Sequence, residues 1–226
     1  MSVQYVIWDW NGTLLDDTEA VVAGLNDMLA RRGLPSITLE GYRDVFAFPA
    51  RDFYARIGFR LEEEDWDALA REYHDAYAAH PKALNRDALP ALEAVRSRGA
   101  RQSILSAHEQ GRLDAITRQL GVAPYMEHVF GVDNLDGASK LDRARELLSR
   151  IRAAHFPDAS DVGWRTRVVV VGDAIHDKEV ADALGVGCVL CAQGGHSAAR
   201  LRRVAPTAET LLDAVDMIFS SSTDKT

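Results

Sequence analysis

Three apolar runs in this 226-residue chain end in groups able to do chemistry: "YVIWD" at Asp9, "SILS" at Ser106 and "VVVVGD" at Asp173. Asp177 follows Asp173 in the first turn of an expected helix, where an acid suits the dipole. Carboxylates brought together repel one another unless a cation sits among them, and an all-oxygen donor set selects Mg²⁺. Lys140 opens the segment "KLDRARELL", at a helix end where positive charge is disfavoured. That cost makes sense if the ammonium points at an anionic substrate. Two residues after Asp9 stands Asn11, an amide where hydrolytic chemistry would want a second acid.

Taken singly, these residues mean little: a lysine is usually on the surface, and an acid at a helix start is usually a cap. What lifts them is the set of elements that must carry them. Strands are expected at residues 3–9, 101–107, 128–132, 166–174 and 186–192, and helices at 87–99, 110–121, 140–154, 176–185 and 207–216. Alternation of this kind predicts a parallel sheet covered on both faces, an α/β Rossmann-like core. In such a sheet the C-terminal strand ends share one edge, so Asp9, Ser106 and Asp173 should meet there. Between the first strand and about Asn85 the pattern is helical throughout, with helices at 18–33, 39–46, 49–58 and 61–80. Trp66, Leu69, Ala70, Tyr73 and Tyr77 form one apolar stripe there. The expected division is a core of residues 1–14 and 86–219, a small all-helical cap of 15–85, and a disordered tail of 220–226. "FPDASDVGWRTR" reads as a surface loop.

A hydrophobic fraction of 47% supports a real core, and a net charge of −8 argues against nucleic acid and membrane surfaces as partners. No apolar stretch reaches the ~20 residues of a membrane span, and the N-terminus does not read as a secretion signal, so a cytoplasmic protein is expected. Cys188 and Cys191 lie three apart on an expected strand and so point to opposite faces. Two buried thiols are expected, with neither a zinc site nor a disulfide.

The chain resembles the haloacid dehalogenase superfamily, in its phosphoglycolate-phosphatase-like branch with a helical cap. "DWNGTL" matches the first motif of that family, D-x-D-G-T-L, except at Asn11; "SILSA" matches the second; Lys140 in "ASKLDR" matches the third. "GDAIHD" matches the fourth, extended by Ala181 and Gly185. All four occur in order over nearly the whole chain. The resemblance implies a Mg²⁺-dependent phosphatase acting on a small phosphorylated metabolite, as a monomer or homodimer. Asp9 would be the nucleophile that forms an aspartyl-phosphate. Mg²⁺ would be held by Asp9, the backbone carbonyl of Asn11 and Asp173, with Asp177 supporting it directly or through water. Lys140, Ser106, Thr13 and backbone N–H groups around Gly12 and Ala107 would hold the phosphoryl oxygens.

Asn11 departs from the family at the residue that protonates the leaving alcohol and then activates water. An amide does neither at neutral pH. Three readings follow: a histidine supplies the proton, with His108 and His176 ahead of His196; the substrate carries a leaving group, such as an acyl or aryl group, that needs no acid; or the protein binds a phospho-ligand as a regulator with little turnover. Phosphotransfer ranks second to hydrolysis. In the cap, Arg51 is a candidate for a substrate carboxylate or second phosphate.

Overall fold

The computed structural model describes residues 3–132, 140–159 and 163–220. Its strands are β1 (Tyr5–Trp8), β2 (Leu15–Asp16), β3 (Ala83–Leu84), β4 (Arg101–Glu109), β5 (Val129–Val132), β6 (Val168–Gly172), β7 (Gly187–Cys191) and β8 (Thr207–Ala208). Six of them make one parallel sheet in the order β5-β4-β1-β6-β7-β8. β1 lies in the middle and is buried along its length, because apolar clusters cover both faces. Val6 and Trp8 join one cluster, Tyr5 and Ile7 the other, as the period-two alternation of a strand requires. The Rossmann-like core is therefore as expected. Cys191 and Cys188 also face opposite clusters, although Cys188 is only half-buried.

The helices flanking the sheet are α5 (Ala88–Ser97), α6 (Gln110–Gln119), α7 (Lys140–His155), α8 (Ile175–Leu184), α9 (Ala198–Leu201) and α10 (Leu211–Ser220), and four precede them: α1 (Thr18–Arg31), α2 (Leu39–Val45), α3 (Ala50–Arg56) and α4 (Trp66–Ala79). On α7 the buried positions are Lys140, Ala144, Leu147, Leu148 and Ile151. Lys140 thus occupies the register of the helix's apolar stripe, while its neighbour Leu141 is only half-buried. A lysine in a core register is a stronger sign of function than a lysine at a helix start.

The structure corrects several expected boundaries. Residues 207–216 are not one helix: Thr207–Ala208 pair with β7 as the edge strand, through hydrogen bonds such as Ala192 N–H to the Ala208 carbonyl at 3.0 Å. α10 then starts at Leu211, with Thr210 and Asp213 bonding each other's backbone N–H as a cap. The 61–80 helix begins only at Trp66, where the Asp65 carboxylate accepts from Ala68 N–H, after a short 3₁₀ turn at Leu61–Glu63. The loop before β6 is not all surface, since Trp164 is buried and stacks on Phe156 at 5.5 Å. Of the expected tail, Ser220 closes α10 and residues 221–226 lie outside the described residues.

α1 to α4 have an apolar cluster of their own, built around Leu25, Met28, Leu29, Tyr42, Phe53 and Leu69. The segment is not purely helical. The chain leaves the core through β2 and returns through β3, and these two strands pair antiparallel, Leu15 with Leu84 and Asp16 with Ala83. No helix among the described residues is long and apolar enough to cross a membrane.

Candidate active site

Asp9 directly follows β1, and its backbone N–H donates to the Val171 carbonyl on β6 at 2.8 Å, which locks the two strand ends together. Asp173 directly follows β6, and Asp177 sits in the first turn of α8 with its carboxylate accepting from Ala174 N–H at 3.1 Å. Ligand oxygens of Asp9, Asp173 and Asp177 all lie within 4.8 Å of one another, and all three residues are buried. Lys140 bridges two of them, donating to Asp9 Oδ1 at 2.6 Å and to Asp177 Oδ1 at 2.8 Å. Asp173 instead accepts from Thr13 Oγ1 at 3.2 Å and from the backbone N–H of Gly195.

Burial pushes the Asp9 carboxyl up to about 7; Lys140 opposes the rise and Asp177 adds to it. Burial also holds Asp173 well above the carboxylate range, reinforced by repulsion from Asp9 and Asp177. Burial works against the Lys140 ammonium, but Asp177 and Asp9 outweigh it and keep its pKa above that of a free lysine. With one ammonium among three buried acids, the raised carboxyls hold protons unless another cation replaces them. The site asks for a second cation. Gly12, at φ 72°, and Gly194 both pass so close to the Asp173 carboxylate that a Cβ on either would collide with it.

Asn11 is not idle. Its Nδ2 donates to Asp17 Oδ2 at 2.6 Å and to Tyr77 Oη at 3.3 Å, and Tyr77 Oη donates to Asp17 Oδ2 at 2.6 Å. The other Asp17 oxygen accepts from Gly12 N–H at 2.7 Å. Burial raises the Asp17 carboxyl above its usual pKa, partly offset by these donors. Asp17 reads in sequence only as part of the run "DDTEA"; the doubled acid after the first motif was the one available signal. Tyr77 was visible only as a member of the α4 stripe.

The remaining candidates sort by position. Ser106 is buried, accepts from His108 N–H at 3.0 Å, and lines the site cavity together with Ala107 and His108. Gly12 also lines it, but its N–H is taken by Asp17. Thr13 is fully buried, and its hydroxyl is turned to Asp173. Arg51 is outside the cavity: its guanidinium stacks 4.6 Å over the Trp66 ring. His176 lines the cavity beside Phe48, with ring centroids 4.9 Å apart, and its Nδ1 lies 3.2 Å from Glu179.

His196 is committed elsewhere. Its Nδ1 accepts from Ile175 N–H at 2.9 Å, so the proton is on Nε2, which donates to the Phe46 carbonyl at 2.9 Å. It ties the core to the segment after α2. Burial, aided by Arg200, lowers its pKa from 6.5 to about 4. The unfolded chain therefore takes up this proton first as pH falls. The contribution of the neutral ring is complete above the unfolded value of ~6.5 and is lost towards pH ~4, a range worth about 3 kcal/mol. The expected result is that His196→Asn lowers the melting temperature most at pH 7.5, and that the gap to the wild type narrows steadily towards pH 4.5. A pH-independent gap would refute this assignment.

Residues 6–191 match the sequence pattern of the haloacid dehalogenase-like hydrolase family. A phosphoglycolate phosphatase of Caulobacter vibrioides is 27% identical over 196 residues, covering 84% of this chain and 79% of that protein. An N-acetylmuramic acid 6-phosphate phosphatase of Pseudomonas aeruginosa is 28% identical over 183 residues, covering 79% and 77%. The Mycobacterium tuberculosis protein named tyrosine-protein kinase PtkA is 26% identical over 220 residues, covering 95% and 71%. Its solved structure superposes with a TM-score of 0.75 at 23% identity over 96% of this chain and 98% of that one, a likeness of fold. With the four motifs in order and their residues gathered at one sheet edge, the chain belongs to the haloacid dehalogenase-like hydrolases.

Proposed function

We propose that the chain is a Mg²⁺-dependent phosphatase of small phosphate monoesters that works through an aspartyl-phosphate on Asp9. The observation that supports this most is the buried trio Asp9, Asp173 and Asp177, with oxygens within 4.8 Å and Lys140 between two of them. The clustered acids and the oxygen-only donors fit a hard divalent cation. Asp9, Asp173, Asp177 and the main-chain carbonyl of Asn11 would hold it. When bound, Mg²⁺ supplies charge neutralisation for the phosphoryl oxygens.

The chain's own residues supply the rest. One Asp9 oxygen attacks phosphorus while Lys140, hydrogen-bonded to the same carboxylate, favours its ionised form and aims it. Ser106 and the backbone at Ala107 lie in the cavity wall to receive phosphoryl oxygens. The ester oxygen leaves with its bonding electrons, and water later releases phosphate and restores the carboxylate. Neither step obtains a proton from Asn11, whose amide is held by Asp17. General acid–base help of ~10²–10⁴-fold is therefore reduced, and slow turnover is expected. The same observation supports a second reading, phosphotransfer, because a phosphoryl-enzyme that water attacks slowly lasts long enough to meet another acceptor.

Phosphate release measured over a panel of esters tests this directly. Mg²⁺ at about a hundred times its dissociation constant should stabilise the fold by about 2.7 kcal/mol, and excess chelator should abolish release. An unchanged melting curve together with an unchanged rate in chelator would sink the metal-dependent mechanism.

A further inference from the structure

The site opens into a cavity of about 310 Å³ whose floor is Asp9, Lys140 and Asp173 and whose roof belongs to the cap. Its roof is mostly ring and hydrocarbon, with Asp17, Thr18, His74 and four tyrosines as its polar members. Phe46 and Phe53 meet edge to face at 5.2 Å, and α4 presents Trp66, Leu69 and Tyr73 from its apolar stripe. Among the described lining residues there is no arginine, and the one lysine is Lys140, already paired with Asp9 and Asp177. Three cap cations are engaged elsewhere: Arg51 over the Trp66 ring, Arg32 with Glu64 and Glu72, and Arg43 with the carbonyls of Gln193 and Gly194. A carboxylate or second phosphate on the leaving group would be buried in this roof with no arginine or unpaired lysine to meet it, and a sugar would set most of its hydroxyls against rings; both are costly. An apolar cavity of ~150 Å³ suffices for one benzene ring, so this one has room for a ring as well as the phosphoryl group.

A second observation, independent of the roof, concerns the leaving oxygen. Asn11 cannot protonate it, so a leaving oxygen stable as an anion is favoured over one that needs an acid at that position. A phenol has a pKa of ~10, against ~15.7 for water and a comparable value for simple alcohols. An aryl oxygen is therefore roughly five to six units less basic and leaves unaided.

We infer that the substrate of this site is an aryl phosphate monoester, its ring seated against Phe53, Trp66 and Leu69 and its phosphoryl group facing Asp9. This deepens the phosphatase reading and rests on it. In the transfer, the Asp9–phosphorus bond forms as the phosphorus–aryl oxygen bond breaks. The phenolate keeps the electron pair and takes a proton from solvent. Water then cleaves the aspartyl-phosphate, giving inorganic phosphate and the original carboxylate.

Calorimetry on the Mg²⁺-loaded full chain separates ring binding from chemistry, using phenylphosphonate, methylphosphonate and phosphonoacetate as unreactive probes. One methylene in an apolar pocket is worth ~10–200-fold, so phenylphosphonate should bind at least ~100-fold more tightly than methylphosphonate. Phenyl phosphate should likewise exceed phosphoglycolate in kcat/KM. Leu69→Arg, which places a cation in the roof, should reverse the order of phenylphosphonate and phosphonoacetate. Should that variant not fold, the wild-type comparison decides alone. Equal binding of the phenyl and methyl probes, or tighter binding of phosphonoacetate, would overturn the aryl assignment while phosphate release kept the phosphatase reading alive. Release from no ester at all would defeat the phosphatase reading, and the aryl substrate with it, whatever the probes show.

Discussion

Asp9→Asn is expected to abolish phosphate release, a loss of at least ~10⁴-fold, and to leave the protein folded. The magnitude follows from removing a nucleophile rather than an assisting group; catalytic units of this kind lose most of their rate with one member. The fold should survive because the charged carboxylate is not a stabilising feature. Burial already pushes the Asp9 carboxyl up to about 7, so its anion is held at a cost. An amide removes one of three clustered negative charges and can still accept from Lys140, as the carboxylate does at 2.6 Å. The melting temperature without Mg²⁺ should therefore change little, while the Mg²⁺-induced rise should shrink, since one ligand has lost its charge. Phosphate release close to wild type, with the melting curve intact, would show that another group attacks phosphorus.

The second large effect concerns Asn11 and Asp17 together. Restoring the acid by Asn11→Asp alone would set two carboxylates in the position now filled by a donor–acceptor pair 2.6 Å apart. Like charges that close cannot both ionise, so the pair would retain one proton, and burial of Asp17 already favours the neutral form. The single variant should melt earlier than the wild type, with any gain in rate confined to lower pH. Exchanging the two groups, Asn11→Asp with Asp17→Asn, keeps one donor and one acceptor across the same contact and puts the acid beside Asp9. The double variant should hydrolyse alkyl phosphates ~10–10³-fold faster than the wild type at neutral pH, and gain less on aryl phosphates, whose oxygen needs no proton. Stopped assays on both ester classes with all three proteins would check this. No gain on alkyl esters would mean that position 11 is not where the proton enters.

The parts of this architecture that follow a period were readable without coordinates. "VVVV" and "YVIW" read as strands of a parallel sheet, so Asp9 and Asp173, which follow them, were expected at one edge; their oxygens lie within 4.8 Å there. The α4 stripe was equally plain, since Trp66, Leu69, Ala70, Tyr73 and Tyr77 all turn out to line the cavity. What could not be read were contacts with no period. β2, β3 and β8 are two residues each and exist only because a distant partner supplies their hydrogen bonds. Asp17 and Tyr77 are 60 positions apart, and nothing local announces that they share a proton. Arg51 carried the right charge on the right helix, yet the Trp66 face holds it outside the site. A side chain's type predicts what it can do, and only packing decides where it points.

The short antiparallel pair at the base of the cap has a consequence for how this protein can change. Leu15 faces Leu84 and Asp16 faces Ala83, so the chain departs and returns through backbones that lie ~5 Å apart. Everything between is an excursion that ends where it began, and the core sheet does not register its length. A tight two-residue turn could close the same gap, and so could a longer or differently folded insert. The helical insert can thus vary in length and fold at this neck without disturbing the sheet, provided a replacement meets the groups that Phe46, Arg43 and Tyr77 now engage on the core side.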